Sequence, residues 1–179
     1  MDFPIAIRLP IIGQIGSKNK KRSTKEINIE RYKKIISHFQ ESVKGDKSKS
    51  HITFGPASEN DLKLLEKLKL PQNIALFFAF YEPSEIVKFE RVLLYPVKDL
   101  YQKNTESKMG KLLKNYGYVI VAGTTGDDVY AIEKKSTDST GQAPTFLVTG
   151  NALKQDTLQN IKESCYLVGT SFSSYLSGL

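Results

Sequence analysis

The sequence predicts an α+β fold, an antiparallel sheet with helices packed mainly on one side. Three observations carry that expectation. The chain orders its pieces as helix, helix, strands, short helices, strands, helix, the segregated pattern of an α+β domain. Its clearest strand pair flanks a turn-rich connector of hairpin length. With 179 residues, 40% hydrophobic and 25% charged, it has enough apolar material for one core without disulfides or metals.

Taken in order, residues 2–16 (DFPIAIRLPIIGQIG) are apolar, with two prolines and two glycines, and read as an extended edge strand or ordered arm. Gly13, Gly16, Ser17 and Lys18 faintly suggest a phosphate loop, but GQIGSK lacks the required spacing. From Lys25 to Val43 a helix is expected: Ile29, Tyr32, Ile35, Ile36, Phe39 and Val43 project within an arc of roughly 120°. Arg31, Lys33 and Lys34 lie outside that arc, and His38 is on the polar side. Gly45 to Ser50 is a loop, and His51 to Phe54 a short strand.

The stretch from Phe54 to Phe80 organises the rest. Ser58 is placed to accept from the Asp61 N–H, a capping box weakened because Asp reaches back less well than Glu. Leu62, Leu65 and Leu68 then line one side of a helix that Pro71 must end by about Leu70. Ile74 to Tyr81 is apolar throughout, so periodicity leaves buried helix and buried strand both open. Phe77, Phe78, Phe80 and Tyr81 are expected to pack in the core.

Glu82-Pro83-Ser84 reads as a turn, and Val87 to Tyr95 as one bent strand or a tight hairpin. Pro96 starts a helical turn carrying Val97, Leu100 and Tyr101. Met109, Leu112, Leu113 and Tyr116 mark another helix, with Gly117 as its left-handed cap. Strands Tyr118–Ala122 and Val129–Glu133 flank the connector Gly123–Asp128. Lys134 to Pro144 is polar and reads as an exposed excursion before the strand Thr145–Val148. Residues 151–167 are ambiguous between helical turns at Leu153, Leu158 and Ile161 and a strand from Cys165. Ser171 caps a short helix in which Phe172, Tyr175 and Leu176 share a side.

The net charge of +7 is local. Residues 17–49 carry eleven Lys and Arg against four Asp and Glu, which leaves everything from Ser50 onward neutral. The chain therefore divides into residues 1–50, an arm and a basic amphipathic helix packed on the domain, and residues 51–179, the domain proper. A lone Cys165 among apolar neighbours points to a reducing compartment. No apolar run reaches the roughly 20 residues of a membrane helix, and the start lacks the order of a signal peptide. A cytoplasmic protein that does not enter the membrane is expected.

Catalytic signatures are missing from the sequence. Its only histidines, His38 and His51, lie in no catalytic motif, and one cysteine rules out the cysteine pairs of zinc sites. Asp127 and Asp128 form the best acidic pair, but neighbours in a hairpin point to opposite faces and do not converge. Their expected roles are turn-forming, or hydrogen-bonding a partner or a neighbouring turn. No enzyme, metal or cofactor is expected.

Several segments together resemble the SUKH superfamily, shared by fungal cell-wall-assembly regulators and bacterial immunity proteins that neutralise toxins. The matching pieces are Ser58-Glu59-Asn60-Asp61 opening a helix, Leu64-Leu65-Glu66-Lys67-Leu68, and Leu70-Pro71 before an aromatic-rich segment. Leu93 to Leu100, the Tyr118–Ala122 strand with Gly126-Asp127-Asp128-Val129-Tyr130-Ala131-Ile132, and Ser171-Phe172-Ser173-Ser174-Tyr175-Leu176 complete the series over residues 52–178. Tyr81-Glu82-Pro83-Ser84 replaces an Asn-Gly common in relatives, and tryptophan is absent.

The resemblance implies a SUKH-like, non-catalytic protein-binding module, most directly an immunity protein. The sheet's open face and flanking loops would then cover a toxin domain, with contacts around Glu82, Glu85, Asp127 and Asp128 and Tyr130 as an aromatic anchor. One alternative is nucleic-acid or anionic-surface binding through Lys18, Lys20, Lys21, Arg22, Arg31, Lys33 and Lys34. Another is a regulatory scaffold protein of the same fold.

Overall fold

Helices form where an apolar stripe meets a cap, and strands where short β-branched runs find neighbours. The computed structural model describes residues 24–45 and 51–179, with side chains over 29–41 and 51–179. The expected N-terminal arm, the GQIGSK stretch, most of the 45–50 loop, Lys18, Lys20, Lys21, Arg22 and the Val43 side chain lie outside the described residues.

Helix α1 (Thr24–Gly45) buries Tyr32, Ile35, Ile36 and Phe39 and exposes Arg31, Lys33, Lys34 and His38. In α2 (Glu59–Leu68) the Asp61 N–H donates to Ser58 Oγ at 3.2 Å, and the Ser58 hydroxyl donates to the Asp61 carboxylate. The short Asp thus closes the cap through the hydroxyl instead of the Ser58 backbone. Lys69 ends the helix in the left-handed region at φ 53°, its N–H donating to the Glu66 carbonyl. Lys134 Nζ covers another end carbonyl, that of Leu68, at 2.9 Å. The undecided apolar segment is helix α3 (Gln72–Phe80), with Pro71 just outside it as N-cap.

Strand β1 (Phe54–Gly55) is shorter than expected and pairs with β2 (Glu82–Pro83), where the sequence suggests a turn. The main sheet is antiparallel: β3 (Val87–Phe89), β4 (Val92–Leu94), β5 (Tyr118–Thr124), β6 (Val129–Glu133), β7 (Thr145–Val148) and β8 (Cys165–Gly169) lie side by side in chain order. Helices α4 (Val97–Thr105) and α5 (Lys108–Asn115) separate β4 from β5. A 3₁₀ turn at Gly150–Lys154 and α6 (Leu158–Glu163) separate β7 from β8, and α7 (Phe172–Leu176) follows β8.

Alternation along the strands divides the core in two. Val119, Val121 and Ile132 face the larger core, which takes buried residues from α1, α2, α3, α4 and α7. Tyr118, Ile120, Val129 and Ala131 face the smaller one, built with Met109 and Leu113 of α5, Ala152 and Ile161. Most helices therefore lie on one side, as expected. The other side is not the open face that the resemblance implied, because α5, the 150–154 turn and α6 cover it. The larger core centres on rings: Phe77 lies 5.2 Å from Tyr32, 5.1 Å from Phe78 and 5.4 Å from Phe172, each such pair adding about 0.5–1.5 kcal/mol beyond area burial.

Two buried amides finish the frame. Strand β4 stops at Leu94 while β5 continues, and Asn104 takes the vacant place. Its Oδ1 accepts from Ile120 N at 2.8 Å, and its Nδ2 donates to the Ile120 and Leu100 carbonyls at 2.9 Å. Gln142 contradicts the expectation of a wholly exposed 134–144 excursion. Its side chain is buried, donating to Tyr32 Oη at 3.3 Å and Ser173 Oγ at 3.2 Å, which ties the loop to α1 and α7. Asp138 shapes that loop by accepting from the backbone N–H groups of Thr140 and Gln142.

Candidate functional site

The N-terminal ends of α2 and α4 and the β1–β2 ribbon enclose an open cleft of about 350 Å³, lined chiefly by Thr53, Ser58, Asp61, Glu82, Ser84 and Pro96. Rigid residues position each group. Pro83 and Phe54 pair across the ribbon, the Ser84 N–H donates to the Thr53 carbonyl at 2.8 Å, and the Thr53 N–H donates to Ser84 Oγ at 3.1 Å. Pro96 caps α4 without a side-chain acceptor, and Glu82 supplies one, its Oε1 accepting from Val97 N at 2.7 Å.

Glu82 thus caps α4 directly, while Asp61 holds the Ser58 hydroxyl that caps α2. Burial raises the Glu82 pKa above its ordinary value; the Val97 hydrogen bond opposes this and the nearby Asp61 charge adds to it. Two acids that repel one another in a partly desolvated recess favour an incoming cation. Gly55 on the cleft wall has open space where a Cβ would stand. Just outside, His51 Nε2 lies 2.6 Å from Glu85 Oε1, with both side chains exposed.

The residues expected to form one contact surface occupy two places. Glu82 lines the cleft and Glu85 follows just outside it, on the chain entering β3. Asp127 and Asp128 lie in the β5–β6 turn, beside the start of β4, where Val92 pairs with Thr124. Asp127 is exposed, whereas Asp128 Oδ1 accepts from Gly150 N at 2.9 Å and braces the neighbouring 3₁₀ turn. Tyr130 is half-buried, its ring 4.9 Å from that of Tyr175. Arg31, Lys33 and Lys34 are exposed on α1.

Sequence reasoning found Glu82 and recognised Ser58 and Asp61 as a cap. It missed their convergence, along with Thr53, Ser84 and Pro96; the prolines at 56, 83 and 96 were the available signal for rigid walls. Among the described residues, no cluster of three or more His, Cys, Asp or Glu is able to hold a metal ion, and no helix is long and apolar enough to cross a membrane. Burial, then the Glu133 charge, pushes the half-buried Cys165 thiol up to about 11. No protein-family model matches the chain, and a search of curated proteins finds no match.

Proposed function

We propose that this chain is a non-catalytic protein-binding module whose cleft receives a Lys or Arg side chain from a partner protein. The observation that supports this reading is the placement of Glu82 and Asp61 together in an open, proline-walled recess, close enough to repel. A cation seated between them relieves that repulsion and gains charge-assisted hydrogen bonds, while the complementary charge speeds encounter. The resemblance to the SUKH superfamily supports the same class and makes the partner a toxin domain, the chain acting as its cytoplasmic immunity protein. A regulatory scaffold of the same fold differs in partner alone.

The test is titration calorimetry against the toxin domain encoded by an adjacent gene. A complex at micromolar concentration is expected, weakened at least about tenfold by Glu82→Lys, since truncating or reversing a paired charge at an interface costs about 2 kcal/mol or more. Gly55→Trp fills the recess and has the same effect. Absence of any complex at micromolar concentration overturns the reading.

The three exposed cations of α1 support a second reading, binding of nucleic acid or another anionic surface. Reversing Arg31, Lys33 and Lys34 together then abolishes salt-sensitive oligonucleotide binding; unchanged binding excludes that helix as the site.

A further inference from the structure

Strand β8 carries three consecutive exposed apolar side chains, Tyr166 at 56%, Leu167 at 59% and Val168 at 41% exposure. Among the described residues it is an edge of the main sheet, with no strand on its outer side. Its outward-facing backbone groups can be identified. The Thr149 N–H donates to the Ser164 carbonyl, and Leu147 pairs with Tyr166 and Phe146 with Leu167. Antiparallel ladders alternate hydrogen-bonded and non-bonded pairs, so the N–H and C=O groups of Cys165 and Leu167 turn outward. Beyond them, Thr145 pairs with Gly169, leaving Val168 as an extra, bulged residue.

We propose that this edge pairs antiparallel with β8 of a second copy of the chain, about a two-fold axis at Tyr166. In that register Cys165 of each copy faces Leu167 of the other, and all four outward N–H and C=O pairs find partners before the bulge interrupts the edge. Tyr166 meets its own symmetry mate in the close, non-bonded pair. The cross-strand row Tyr130, Leu147, Tyr166 then continues unbroken into the second sheet.

Charge selects the same occupant. No charged side chain occurs from Ser164 to Leu179, so the strand holds nothing to repel a copy of itself and nothing to select an acidic or basic partner. An isologous contact requires one surface to complement itself, which this strand does. Area sets the strength: four backbone bonds and three side chains cover well under the roughly 800 Å² per partner of a standard interface, so the dimer is weak, with a dissociation constant on the order of 10–100 μM.

Sedimentation velocity on the full chain tests this. The mass is expected to rise from 20.1 kDa toward twice that value between about 5 and 500 μM, a range bracketing that constant. Leu167→Arg shifts the constant upward at least about tenfold, since it places two like charges in the seam. Independently of any folding defect in that variant, Cys165→Ser with Tyr166→Cys forms a disulfide-linked dimer on mild oxidation, because residues in the close pair stand about 4.5 Å apart. Cys165→Ser with Leu167→Cys does not. A monomer at every concentration overturns the proposal; a slowly exchanging Leu167 amide in that monomer identifies a segment of the chain itself as occupant, and a fast one leaves the edge to a different protein. Equal cross-linking at both positions overturns the register.

Discussion

The two edges of the main sheet are finished in opposite ways. Strand β3 is three residues long, carries the exposed Lys88, and turns at once through Glu90, held at φ 49°, and Arg91. Its neighbour β4 is equally short, and Asn104 completes the hydrogen bonding where β4 stops. Charge, brevity and a borrowed amide are familiar ways of closing a sheet edge. Strand β8 has five residues, no charge, three exposed apolar side chains and one bulge, and among the described residues no strand covers its outer side. The difference sets an edge closed by short strands, charge and a borrowed amide against one that, among the described residues, leaves its outward backbone groups unpaired by any strand.

The largest way to break this comparison is to remove what anchors the β8 side to the larger core. Phe172→Ala, just after β8 and in contact with Phe77, Phe78 and Tyr32, is expected to lower unfolding free energy by about 3–5 kcal/mol in urea titrations. On the β3 side, Asn104→Leu strands the buried Ile120 N–H and carbonyl and is expected to cost about 2–4 kcal/mol. Exchanging the character of an edge sharpens the contrast without unfolding it. Lys88→Val should change stability by less than about 0.5 kcal/mol while adding a concentration-dependent association at β3, visible by light scattering.

At the cleft the expected effect is on the pH dependence of stability. Because the Glu82 pKa is raised in the folded state, its contribution to stability is full below the ordinary carboxylate range and is lost as pH rises through the raised value. Glu82→Gln, which keeps an acceptor for Val97 N–H, should flatten that slope just above the ordinary carboxylate range and change neutral-pH stability by less than about 1 kcal/mol, solvent screening limiting a half-exposed group.

Elements with one clear stripe or cap were legible from the sequence. The Leu62–Leu65–Leu68 face, the Ser58 and Ser171 caps and Gly117 at φ 83° all stand where local rules put them. The segment Gln72–Phe80 was not legible as helix because it is apolar on every side, and burial from all directions erases the period. Glu82-Pro83 is a turn by composition and a strand only because Phe54 and Gly55 lie alongside it. Asn104 and Gln142 look like surface residues in the sequence. Their burial depends on where β4 stops and where α1 meets α7, which no window of neighbouring residues contains. The site was half legible for the same reason: Glu82 and Asp61 are each visible, but their meeting requires two helix ends to converge.

The sequential strand order also constrains how the protein is made. Each strand of the main sheet pairs with the one synthesised just before it, so the sheet grows as the chain emerges, through contacts local in sequence. The larger core does not close on that schedule. The ring contact of Tyr32 with Phe172, and the hydrogen bonds through Gln142 from Tyr32 to Ser173, join α1 to α7. Until α7 leaves the ribosome, the apolar faces of α1 and α3 lack their seal, and a nascent chain arrested before Ser171 is the species most in need of a chaperone.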